Sequence, residues 1–156
     1  MRAILIPATM FAWLAAAVVL IAGQPSTISQ SELKGEAILV WGTNDSSPPA
    51  GKDYHPVDAE MLKKLKDLPL KWSHWFEVRR KSFTAPAGLM KQVVMSEKCQ
   101  LNVKNLGADS ELEVSVIGKG KEVVRRKQAL PKGEMLVLGG NAPNDTAWLV
   151  ILKRTE

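Results

Sequence analysis

Cysteine and histidine are almost absent from this 156-residue chain: one cysteine, Cys99, and two histidines, His55 and His74. A lone cysteine excludes a disulfide framework within the chain. Small exported domains of eukaryotes are often stapled by paired cysteines, so their absence favours a bacterial envelope protein that relies on its core. The same scarcity removes the usual metal motifs, since neither Cys-x-x-Cys nor His-x-x-x-His occurs. Gly-x-Ser-x-Gly, the P-loop and the dinucleotide fingerprint are missing too. No cofactor is implied.

Strong charge of one sign is also lacking. The formal charge is +5, with 21 basic and 16 acidic residues. Such an excess favours anionic partners weakly and demands none. With 46% apolar and 24% charged residues, the composition is that of a globular chain. The length suits one domain with one core.

What the chain does have is a long apolar start. Residues 3–22 carry no charge, and Arg2 is the only charged residue before Glu32. A positive flank followed by an apolar run is the order of a secretory leader. The run is also close to a full bilayer span. Neither cleavage position has a small residue three places back: Leu20 for a cut after Ala22, Ile21 for a cut after Gly23. Residues 1–23 are therefore expected to be a hydrophobic helix, either a signal peptide or a retained membrane anchor. Both readings leave Arg2 in the cytoplasm and carry the rest outside, to the periplasm, the cell envelope or the medium. An anchor would tie the protein to the membrane.

Residues 24–35 are rich in polar residues, with Pro25 and several serines, and read as a flexible tether. The β domain is then expected over 36–156. Ile38, Leu39 and Val40 form a short apolar run like a buried strand. A loop with Pro48, Pro49 and Gly51 follows, and long loops move or bind. One short helix is expected next, with Asp58 as its cap and Met61, Leu62, Leu65 and Leu68 at helical spacing, stopped by Pro69.

From Trp72 onward the period is two. Phe76 and Val78, Cys99 to Val103, and Leu112 to Val116 alternate with polar neighbours, so each is a half-buried strand. Lys119-Gly120 reads as a hairpin turn, and residues 139–145 as a tight connection between two apolar strands. Seven or eight short strands with turn residues between them predict a mainly β fold, an antiparallel sandwich or barrel. The stretches Leu130–Glu134, Gly139–Trp148 and Trp72–Val78 resemble small exported bacterial β-sandwich-like proteins of unassigned function. That resemblance spans the last two-thirds of the chain and brings no catalytic residue with it.

Candidate chemistry is thin. Cys99 falls on the inward face of its strand, where a cysteine is a small buried apolar residue. His74 beside Trp75 reads as a packed or surface histidine. Asp45, Asp53 and Asp145 lie in loops, where aspartates form turns. Asn44-Asp45-Ser46 and Asn144-Asp145-Thr146 fit the glycosylation pattern, yet in a bacterium they are plain turns.

Binding surfaces carry more. Trp72 and Trp75 are the candidates for exposure, because Phe76 and Val78 claim the inward face. Two basic clusters stand out: Arg79, Arg80 and Lys81, and Lys119, Lys121, Arg125, Arg126 and Lys127. If their strands are neighbours they form one positive patch for anionic lipid or envelope polymer. Otherwise they are solvated edges that block aggregation. Nucleic acid is the least fitting partner outside the cytoplasm. The reading is an exported, non-catalytic interaction domain for an envelope protein or an anionic or glycan surface. The alternatives are a carbohydrate-binding module using exposed tryptophan, and a small extracytoplasmic enzyme.

Overall fold

A computed structural model describes residues 31–156. The leader and most of the tether span lie outside the described residues. The described elements run β1 (Leu33–Thr43), β2 (His55–Pro56), α1 (Ala59–Lys66), β3 (His74–Ala85), β4 (Met90–Ser96), β5 (Cys99–Asn105), β6 (Glu111–Gly118), β7 (Lys121–Ala129), β8 (Met135–Ala142) and β9 (Thr146–Arg154). They form two sheets, ordered β2-β3-β1-β9-β8 and β4-β5-β6-β7. Every neighbouring pair within them is antiparallel. The fold is thus mainly β and sandwich-like, with one short helix.

The two sheets bury different amounts of themselves, and their sequences follow. Val93, Leu101, Val103, Val114 and Val116 of the four-stranded sheet meet Ala37, Leu39, Val150 and Leu152 of the five-stranded sheet in one core. The outer face of the four-stranded sheet is wet, which explains the clean alternation along β5 and β6. The five-stranded sheet is covered on both faces. Its far face holds Ile38, Val40, Leu149 and Ile151 under Met61 and Leu65 of α1. A strand buried on both sides has no polar alternate, hence the unbroken apolar runs at 37–40 and 147–152.

The helix is short and held by its contacts. The Met61 N–H donates to the Asp58 carboxylate at 2.8 Å, capping the first turn. Lys153 of β9 reaches Glu60 at 2.6 Å. Leu68, expected on the apolar stripe, lies past the helix end and is exposed. β1 also begins earlier than expected, at Leu33, so Leu33–Gly35 are strand and not tether. They pair with Phe83–Ala85, and Leu33 is buried there.

The expected connection over 139–145 is mostly strand. β8 continues to Ala142, and the turn is confined to 143–145, with Asn144 and Asp145 at φ 60° and 55°. Gly139 and Gly140 serve close approach instead. A Cβ on Gly139 would sit 2.2 Å from the Leu149 side chain, and one on Gly140 would sit 3.2 Å from the Trp148 ring. The Lys119-Gly120 turn is as expected: both residues have positive φ, the geometry of a two-residue turn that follows strand twist.

Candidate functional site

Neither tryptophan expected on an open face presents its ring freely. Trp75 does point away from Phe76, but that side is the one α1 covers, and Trp75 is only 4% exposed. Its ring lies over Gly42, where a Cβ would come within 2.3 Å of it. Trp72 is half-buried against the same cluster and edge-on to Trp75 at 6.1 Å. The Trp72 indole N–H donates to the Asp145 carbonyl at 2.7 Å. Lys71 pairs with the Asp145 carboxylate and stands 5.1 Å over the Trp72 ring. Asn44 accepts from the Ser73 N–H at 3.1 Å. Trp72 therefore does gather with the Asn44 and Asp145 turns, as a strut between loops.

The two basic clusters do not merge. Arg79, Arg80 and Lys81 lie on β3 of one sheet, while Lys119, Lys121, Arg125, Arg126 and Lys127 lie on or beside β7, the edge of the other. Three of these eight charges are already paired. Arg80 binds Glu36 and Glu77 at 2.8 Å and Asp58 at 3.1 Å, and these carboxylates hold its guanidinium firmly charged. Arg125 pairs with Glu122 at 2.7 Å, and Lys127 with Glu111 at 3.5 Å. Arg126 sits opposite Val114, on the inward face of an exposed edge strand. An inward-pointing charge there discourages pairing with another chain.

A different place gathers functional potential: one end of the sandwich. Trp41 of β1 and Trp148 of β9 are direct cross-strand partners, so their side chains share a face. Phe76 is Trp41's partner on the other side, with ring centroids 6.0 Å apart. Beyond Trp148 lies an apolar cleft of about 350 Å³. Leu39 and Trp148 form one wall, and Cys99, Val116 and Val123 the other. Val123 reaches the cleft because β7 bulges there: Val116 opposes Val124 and Ile117 opposes Glu122, so Val123 has no partner.

Two hairpin turns frame the mouth. Lys98 is in the β4–β5 turn and Lys119 in the β6–β7 turn, and the Lys119 N–H donates to the Lys98 carbonyl at 3.0 Å. Both lysines line the cleft. Cys99 is half-buried in the wall, and burial pushes its thiol pKa up. A raised pKa keeps it a thiol at neutral pH, the reverse of an activated nucleophile.

On the other side of Trp41 lies a polar groove of about 460 Å³, edged by Asp45, Ser46, Ser47 and Asn144. Among the described residues, no three histidine, cysteine, aspartate or glutamate side chains gather as a metal site. Trp148, between Ala147 and Leu149, reads from the sequence as a core aromatic, and Trp41 and Lys98 carry no local signal of their own. Each is unremarkable locally and becomes significant only through strand pairing. Compared with known proteins, the chain matches no family model, no curated protein and no solved structure.

Proposed function

We propose that this chain is an exported, non-catalytic interaction domain that binds its partner at the Trp41/Trp148 end of the sandwich. The open apolar cleft carries this reading. Sandwich cores normally close over their ends, and an apolar cleft of this size is the kind of concavity in which small ligands and side-chain anchors are buried. The apolar leader with Arg2 supports export, and the resemblance to small exported bacterial β proteins points the same way. The protonated Cys99 thiol in the wall favours binding over covalent chemistry.

The test uses the full-length protein and Nile red, a neutral apolar dye. Val123 is 51% exposed, so Val123→Trp places a larger side chain in the cleft without disturbing the core. The dye signal should fall in the variant at unchanged secondary structure, and the difference between the two proteins separates the cleft from the leader. Equal dye binding would remove the cleft as the site. Export is tested separately: recovery of the domain from the cytosolic fraction would overturn it.

A second reading has its own observation. The polar groove combines a half-exposed Trp41 with carboxylate, amide and hydroxyl groups, the combination that receives sugar rings. Glycan binding that is lost in Trp41→Ala but kept in Val123→Trp would favour the carbohydrate module.

A further inference from the structure

We infer that the cleft takes the tail of a single-chain amphiphile whose anionic head is held by Lys98 and Lys119. The inference rests on the cleft being a binding site and adds the chemical class of its ligand. The walls offer Leu39, Val116, Val123 and Trp148, which would strip water from a polar ligand without replacing its hydrogen bonds. An alkyl chain loses nothing there. At roughly 30 Å³ per methylene, taken as about the volume of a water molecule, the cavity holds a chain of about ten carbons.

Lysines stand at the mouth. The backbone latch between the two turns brings Lys98 and Lys119 together there, and both residues line the cleft. Lys98 and Lys119, like eight other lysines among the described residues, make no ion pair; what sets them apart is their place on the lining of the cleft. Glu97 shares the turn with Lys98 but does not line the cleft. Two unpaired ammonium groups beside an apolar hole complement a ligand with charge at one end and hydrocarbon at the other. A carboxylate, sulfate or phosphate head fits equally. A neutral alcohol of the same length would fill the cleft and leave both lysines unanswered.

The experiment is site-mapped photo-crosslinking of the full-length protein with two probes, a diazirine-bearing decanoic acid and the matching decanol. The acid should label the cleft residues at a lower half-saturating concentration than the alcohol. Lys98→Gln with Lys119→Gln should raise that concentration about fivefold for the acid and leave the alcohol unchanged, given exposed charge pairs. Removing two charges elsewhere, Lys104→Gln with Lys132→Gln, should change neither. Equal cleft labelling by acid and alcohol, unaffected by the Lys98 and Lys119 substitutions, overturns the anionic class and leaves the cleft as a site. Labelling of the acid weakened equally by either pair of substitutions means general attraction and also overturns it. Absence of label from the cleft with both probes overturns the inference and the site together.

Discussion

Replacing Gly42 by alanine is the sharpest test of how the five-stranded sheet is packed. An added Cβ would lie 2.3 Å and 2.7 Å from two carbons of the Trp75 ring, well inside contact distance. The ring has nowhere to go, since Trp75 is 4% exposed and packs in the cluster beneath α1. Overpacking of this kind costs about 1–3 kcal/mol. Alanine would regain about 0.5–1 kcal/mol over glycine through its lower backbone entropy in the unfolded chain. The net loss is about 1 kcal/mol at the midpoints of these ranges, or roughly 4 °C in Tm for a domain of this size. Thermal melts followed by far-ultraviolet circular dichroism read it directly. A double-mutant cycle with Trp75→Leu isolates the contact: Gly42→Ala should cost little once the ring is gone. A Gly42→Ala protein that melts at the wild-type temperature, or loses as much stability in the Trp75→Leu background, would refute the packing of Trp75 on Gly42.

Three further outcomes follow from the same geometry. The Met61 N–H and then Arg80 lower the Asp58 pKa, so its stabilising effect is full above the unfolded value near 4 and fades as pH falls through the lower folded one. Asp58→Ala should therefore cost about 1 kcal/mol by urea unfolding at pH 7, and the difference from wild type should shrink below about pH 4. Arg80→Ala should cost about 1 kcal/mol because it frees three carboxylates, whereas Arg79→Ala should stay within about 0.5 kcal/mol, compared by the same unfolding curves. Iodoacetamide should alkylate Cys99 several-fold more slowly than a free thiol at pH 8, with the rate rising at a pH above the ordinary thiol value of about 8.5; a faster rate would point to an activated cysteine.

The strand periods, the helix and the hairpin at Lys119-Gly120 were legible because each is a local pattern. Trp75 shows where local pattern stops. Its parity was correct: it does face away from Phe76. Parity alone does not make that opposite face wet. Two signals spoke against that. β1 and β9 carry apolar runs with no polar alternate, and the Met61/Leu65 stripe of α1 needs a sheet face to lie on. Three uncovered apolar surfaces cannot all meet one core, so the sheet that supplies two of them must be the middle layer. Whether the two basic clusters form one patch or separate solvated edges is open in the sequence for another reason: it depends on whether β3 and β7 are neighbours, and alternation is silent on sheet order. The cleft is less legible still. It forms where a bulge at Val123, the latch between two turns and the Trp41/Trp148 register coincide, and each of these belongs to a different strand pair. A strand's period tells which residues share a face; only a count of the apolar surfaces left to cover tells whether that face meets water.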